Sequence, residues 1–277
     1  MPWFPDFVSA TELARRQTQI AGRTDPVTQY LQALELGNAR ALETIWPGTI
    51  VIEDPRAGTI RGHRRLREFV RRNRTWLTGL HATTEHLAST SAGQQAVVEL
   101  LAHLDDHGQK ISWPIAVVAE SPHDRSVLFR TYCSQWPVDG RHHVRPPILE
   151  PGEGILEGVV SQHFAALAAA DVEACVQTFA ATGYVREPYG PNAFHRGQRA
   201  LDSYYSKCFS TGGGIEIECC CVTDDGTRCV VEYNLVRWGR HALVTQAGLA
   251  VFERDPDGLL SAVRIYDDVQ PPTDAAN

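Results

Sequence analysis

Apolar residues recur at helical spacing in "PVTQYLQALELG" (26–37), where Tyr30, Leu31, Leu34 and Leu36 form a stripe. Asp25 and Pro26 supply an N-cap and a proline at the first helical position, so a helix is expected to open there and to stop at Gly37. A second, shorter helix is predicted over "NARALETIW" (38–46). The pattern then changes to strand: "TIVIEDP" (49–55) is an apolar run that ends in two adjacent carboxylates, Glu53 and Asp54, before Pro55. Helical spacing returns after Gly62 with Leu66, Phe69 and Val70, set among arginines. Four strand-like segments follow, "HATTEHLAST", "QQAVVELLAHL", "KISWPIAVVAE" and "SVLFRTYC", with hairpin punctuation at "DDHG". Helices first and antiparallel strands afterwards predict an α+β domain, a curved sheet wrapped around three helices. Such a cone leaves an apolar cavity between sheet and helices, a natural small-molecule site.

The same rhythm occurs twice. "YLQALELGNARALETIWPGTIVIEDP" (30–55) lies over "HFAALAAADVEACVQTFAATGYVREP" (163–188) without a gap, at a separation of 133 residues. Farther on, "IRGHRRLREFV" matches "HRGQRALDSYY", "VVELL" matches "VVEYN", "AVVAE" matches "LAVFE" and "LFRTY" matches "AVRIY". The chain is a tandem duplication of a unit of about 130 residues. Its second copy carries the strands "GIEIECCCV", "CVVEYNLVRW", "HALVTQAGLAVFE" and "LLSAVRIYDD". "WPVDGRHHVRPPILEPGEG" (136–154), rich in Pro and Gly, reads as the connection. The expected organisation is a first domain over 1–138, a linker over 139–153 and a second domain over 154–277.

Composition narrows the classes. Apolar residues make up 43% and charged residues 21%, as in ordinary globular proteins, and the net charge of −7 argues against nucleic acid as a partner. No apolar run reaches membrane-spanning length, and the N-terminus lacks the basic start and apolar core of a signal peptide. The seven cysteines include three in a row, Cys219 to Cys221, whose side chains alternate between strand faces. They are expected to be small buried hydrophobes in a reducing, cytoplasmic setting, with no metal role. His142 and His143 fall in the connection, are expected in solvent, and have no companion ligands nearby. The arginine-rich helix around residues 61–74 reads as a solvated face or, less simply, an anion-binding or domain-docking surface.

Candidate chemistry rests on repeated positions. Asp54 follows Ile50 and Ile52 at strand spacing and should share their cavity face; Glu187 follows Val185 in the same way. Each is either a turn builder or an acid/base group whose pKa an apolar surround would lift. Tyr30 is a core tyrosine or a donor to a developing oxyanion, and His163 takes its place in the second copy as donor or base. Glu85 and Glu218, each 31 residues after the strand-end carboxylate, are exposed strand residues or partners in a general acid and base pair.

The order of elements and the segment "YLQALELGNARALETIWPGTIVIEDP" resemble the nuclear transport factor 2-like superfamily, which includes ketosteroid isomerases, SnoaL-type polyketide cyclases and limonene epoxide hydrolases. Tyr30 and Asp54, 24 residues apart, match the spacing of the isomerase's oxyanion-hole tyrosine and proton-shuttling aspartate. The closing "DGLLSAVRIYDD" is similar to SnoaL-like sequences. The pattern departs from the isomerase where a second oxyanion donor is required: Ala116 and Gly248 are aligned there. The Asp-Arg-Asp triad of the limonene enzymes is absent, since Thr131 and Ile265 follow Arg130 and Arg264. The resemblance implies a cofactor-independent enzyme performing isomerisation, cyclisation or epoxide opening on a small, apolar, polyketide- or terpenoid-like substrate. Paired carboxylates would fit the epoxide hydrolase/cyclases of polyether formation, and a non-catalytic binding or scaffold protein is the alternative. It also implies that the two halves pair through their sheets as an intrachain pseudo-dimer, with a further homodimer as an option.

Overall fold

A computed structural model describes residues 26–121, 125–152, 154–190 and 193–269. They divide into two compact units between Tyr132 and Cys133. Asp25 and the N-terminal segment, for which a helix cap and the absence of a signal peptide were expected, lie outside the described residues.

In the first unit, α1 (Pro26–Leu36), α2 (Ala39–Ile45), β1 (Ile50–Asp54), β2 (Gly58–Arg61) and α3 (His63–Gly79) precede four strands. These are β3 (Thr83–Ala92), β4 (Gln95–Asp106), β5 (Gln109–Glu120) and β6 (Val127–Tyr132). The second unit opens with a single turn, α4 (Trp136–Asp139), and repeats the plan. It runs through α5 (Gly158–Ala169), α6 (Val172–Gln177), β7 (Phe179–Arg186), β8 (Phe194–Arg196), α7 (Gln198–Cys208), β9 (Ile215–Asp224), β10 (Arg228–Trp238), β11 (His241–Arg254) and β12 (Leu260–Ile265). Each sheet has six strands, ordered β2-β1-β6-β5-β4-β3 and β8-β7-β12-β11-β10-β9. Among the described residues only the pairs β1–β6 and β7–β12 are parallel. The architecture is therefore α+β in two tandem copies, each with three helices, the α4 turn aside, and a mostly antiparallel sheet.

The first core is built from one side of each long helix. Val27, Tyr30 and Ala33 of α1 and Leu66, Phe69 and Val70 of α3 meet Ile52, Val98, Val117 and Phe129 of the sheet. Burying each large side chain of this kind contributes about 1.5–3 kcal/mol. Leu36, expected on the stripe, is 62% exposed, because the arc set by Val27, Tyr30 and Ala33 turns it away from the sheet. Between β4 and β5 the chain reverses through His107 (φ 51°) and Gly108 (φ 91°), two left-handed residues in a two-residue hairpin.

The repeat holds at the level of strand register. Glu99 lies opposite Ala116 and Glu232 opposite Leu249, while Leu100 lies opposite Ile115 and Tyr233 opposite Gly248. Gly248 thus corresponds to Ile115, one residue away from the sequence pairing with Ala116. Arg130 pairs with Glu120 in one sheet and Arg264 with Glu253 in the other, so both last-strand arginines serve the same in-sheet ion pair.

On β9 the three consecutive cysteines depart from the expectation of buried hydrophobes. Cys221 lies opposite Glu232 and Cys219 opposite Tyr233, which makes Cys220 the extra residue of a β-bulge. All three cysteines are partly exposed, whereas Cys133, Cys175 and Cys229 are buried. Residues 133–152 are bound to the second unit: Gly152 N donates to Cys219 O (2.9 Å), Asn234 Nδ2 to Leu149 O (3.0 Å) and Ala247 N to Arg145 O (2.9 Å). Among the described residues no helix is long and apolar enough to cross a membrane.

Candidate active site

A cavity of about 80 Å3 opens in the second unit between its sheet and helices α5 and α7. Its walls are mostly apolar and aromatic, including Phe164, Tyr204, Trp238 and Phe252, and its polar groups are few: His163, Glu187, Tyr189, Tyr205, Cys208, Tyr233 and Asp267. Asp267, two residues beyond β12, is the most chemically distinctive. Burial raises its carboxyl to a pKa of about 6, against the opposing pull of the hydrogen bond from Tyr233. Tyr233 Oη donates to Asp267 Oδ2 at 2.7 Å, and Val269 N approaches Oδ1 at 3.4 Å.

The Tyr233 ring reaches Asp267 because its cross-strand neighbour is Gly248. A Cβ there would lie 2.5 Å from Tyr233 Cε2 and 2.9 Å from its hydroxyl. The glycine leaves room for the ring to lie across β11.

Glu187, one residue past β7, lines the same cavity and is paired with His195 Nε2 at 2.7 Å. His195 stacks on Tyr204 with ring centroids 4.4 Å apart. Burial pushes the Tyr204 hydroxyl well up and the Cys208 thiol up to about 12, so both are neutral donors or acceptors at ordinary pH.

His163 is 1% exposed. Thr178 gives its hydroxyl hydrogen to Cys175 O (2.6 Å) and therefore accepts from His163 Nδ1 (2.9 Å). Nε2 is then the acceptor for Tyr205 Oη at 3.3 Å. Burial lowers the imidazole pKa to about 3. With both nitrogens occupied and the ring neutral, His163 positions the cavity wall.

In the first unit, Tyr30 is buried and stacked on Phe129 at 4.5 Å. Its hydroxyl pKa is raised chiefly by burial and then by the charge of Asp54. Asp54 Oδ1 accepts from the backbone nitrogens of Arg56 (2.9 Å) and Ala57 (2.7 Å), so it holds the β1–β2 turn. It also borders an open cleft of about 330 Å3 walled by Arg56, Arg65, Glu68, Arg72 and Trp76.

The structure brings Glu187 and His163 together in one cavity but leaves Glu85 and Glu218 outside it. Glu85 sits on an edge strand, its side chain 59% exposed beside His103. Glu218 is exposed on β9, where the neighbouring Ile217 points into the cavity and strand alternation turns Glu218 to the other face. Sequence reasoning missed Asp267 and Tyr233. A signal existed: "RIYDD" closes an apolar strand with two acids, as "TIVIEDP" does. The repeat also puts Cys133, which follows β6, and Leu100 of β4 at the positions of Asp267 and Tyr233, so the pair belongs to the second copy alone.

The sequence model of the SnoaL-like domain matches residues 27–127 and again 160–263. The chain belongs to the SnoaL-like domain family, with two copies in tandem. No curated protein matches it. Solved structures similar to single SnoaL-like units include a protein described as a candidate polyketide cyclase from Sinorhizobium meliloti. It is 23% identical, with a TM-score of 0.34, and the match covers 40% of this chain and 94% of that one. Another is the epoxide hydrolase/cyclase-like enzyme SalBIII, associated with pyran ring formation in the polyether salinomycin. It is 20% identical, with a TM-score of 0.34, covering 39% of this chain and 86% of that one. A third is a protein of ketosteroid isomerase-like fold from Catenulispora acidiphila, 12% identical with a TM-score of 0.36, covering 42% and 90% of the respective chains.

Proposed function

We propose that the second SnoaL-like unit is a cofactor-independent acid/base enzyme for a small, mostly apolar substrate. The observation that carries this reading is the Asp267 carboxyl, held near a pKa of about 6 inside an aromatic cavity and hydrogen-bonded by Tyr233. A carboxyl at that pKa is poised to accept or deliver a proton close to neutral pH. Ionised, it removes a proton from carbon beside a carbonyl and returns it elsewhere, which is isomerisation or the first step of an aldol-type ring closure. Protonated, it delivers the proton to a leaving oxygen while Glu187, paired with His195, takes one from the attacking hydroxyl, as ring-forming epoxide opening requires. Tyr233 O–H stabilises the carboxylate form in either direction.

The first unit, with Leu100 in place of Tyr233 and with the Tyr30–Phe129 stack, is proposed as a supporting half. Its pairing with the second unit through the sheets, and residence in the cytoplasm, are expectations carried from the sequence; cross-linking across engineered cysteine pairs tests the former.

A base-labile nitrobenzisoxazole, which ring-opens on loss of one carbon-bound proton, tests the chemistry without knowledge of the natural substrate. The expected result is a rate above buffer that rises with pH through a midpoint near 6 and is lost in Asp267→Asn. Retention of that rate in Asp267→Asn, with loss in Asp54→Asn, would move the reaction to the first unit.

A further inference from the structure

Asp268, beside the proposed acid, is bound entirely by the segment between the two family-matching stretches. It is 7% exposed and accepts four hydrogen bonds: from Ser134 Oγ (2.6 Å), Gln135 N (2.8 Å), His142 Nδ1 (3.2 Å) and His143 N (3.1 Å). The His142 ring lies between aromatic neighbours, stacked on Trp136 at 4.7 Å and edge-on to Tyr189 at 5.3 Å. Tyr189 lines the cavity and ties back to the same strand end, its hydroxyl donating to Val269 O at 3.0 Å. Expected in solvent, His142 is instead only 14% exposed at its side chain, wedged between the strand end and the cavity wall. Residues 134–143 fall outside both stretches that match the SnoaL-like domain.

We propose that His142 and Asp268 are positioning residues for Asp267, so that the segment joining the two domains completes the acid/base site of the second. This rests on the reading of Asp267 as the acid/base group. The geometry supplies two effects. Asp268, pinned by four donors, fixes the backbone turn that aims Asp267 at the cavity and Tyr233. The same pair places a negative and a titratable positive group next to the acid, with opposite influences on its proton. Burial is the largest influence on Asp267; the neighbouring Asp268 charge favours its protonated form and His142 disfavours it. Its titratable surroundings are Asp268 on its own strand end, His142 from the connection, Tyr233 from β10, and Tyr189, Glu187 and Cys208 around the cavity. Of these, His142 and Asp268 are bound directly to each other.

The test uses the full chain, labelled for carbon-detected titration of the Asp267 carboxyl. His142→Asn keeps a donor toward Asp268 and removes the titratable ring; the Asp267 midpoint should rise by about half a pH unit or more. Asp268→Asn removes the negative neighbour, and the midpoint should fall by a similar amount. His143→Gln, whose ring pairs with Asp139 at the surface, should leave it unchanged. A linker that mattered only as a strap would move the midpoint in one direction with all three variants. Unchanged midpoints, or equal signs for His142→Asn and Asp268→Asn, overturn the proposal. Should Asp268→Asn fail to fold, the native chain supplies the reciprocal: the His142 ring must show a second inflection at the Asp267 midpoint. These readings are relative to the native midpoint. A native midpoint near that of a free aspartate would therefore reject the acid/base function separately from the positioning role.

Discussion

Gly248→Ala isolates the contact that lets Tyr233 serve Asp267. The added Cβ would stand 2.5 Å from Tyr233 Cε2 and 2.7 Å from Cζ, against an ordinary contact of 3.4–4 Å. The ring must therefore withdraw by about 1 Å, since the backbone of the opposing strand is fixed by its ladder. Starting from 2.7 Å, that displacement carries the phenol hydroxyl beyond hydrogen-bond range of the carboxylate. A hydrogen bond to a charged group contributes about 1.5–3 kcal/mol, and one pKa unit corresponds to about 1.4 kcal/mol. Loss of the bond should therefore raise the Asp267 midpoint from about 6 by roughly one unit or more. Gly248 lies outside the positive-φ glycines, so alanine adds no backbone strain and the fold should persist. The assay is the carboxyl titration together with the nitrobenzisoxazole rate, which should drop by about 100-fold at neutral pH as misplacement and lost donor combine. Tyr233→Phe should reproduce the pKa rise without the clash. If Gly248→Ala leaves both midpoint and rate at native values, the steric coupling between glycine, tyrosine and acid is wrong.

Other consequences follow from the same groups. Asp267 has a folded pKa above its unfolded value, so the folded state binds the extra proton between about 4 and 6 and loses stability as pH rises through that window. Asp267→Asn should therefore be more stable than the native chain above pH 6, by up to about 2–3 kcal/mol, with the gain vanishing below pH 4; thermal melts across pH check this. For His163 the folded pKa is depressed, so stability is complete above the unfolded value of 6.5 and falls as pH drops toward about 3. His163→Gln should flatten that acid limb, read as a smaller slope of denaturant midpoint against pH. Glu85→Gln and Glu218→Gln should change neither the probe rate nor stability beyond about 0.5 kcal/mol, because both side chains face solvent. Asp54→Asn should cost about 1 kcal/mol in chemical denaturation through weaker capping of the Arg56 and Ala57 amides, without altering the probe rate.

The tandem α+β plan was legible in the chain because each element announces itself locally. The apolar runs of β4 and β5, the helical spacing of Leu66, Phe69 and Val70, and the turn at His107–Gly108 are all set by residues close in sequence. The strand-end corner was legible for the same reason: Asp54 and Glu187 both follow apolar strands, and both lie at the ends of equivalent strands in the two units. What those corners do was a tertiary matter. Asp54 spends its carboxylate on its own turn, whereas Glu187 meets His195 and faces a cavity. The Tyr233–Asp267 pair joins residues 34 apart, one on β10 and one just past β12, with β11 between those strands, and it exists only because Gly248 in that middle strand leaves room. Nor could the Pro- and Gly-rich composition of the connection reveal that His142 folds back onto Asp268, 126 residues away. Periodicity reports which face a side chain takes on its own element. Burial, and with it the pKa of a carboxyl, depends on what other elements bring to that face, and that was decided only when the chain closed on itself.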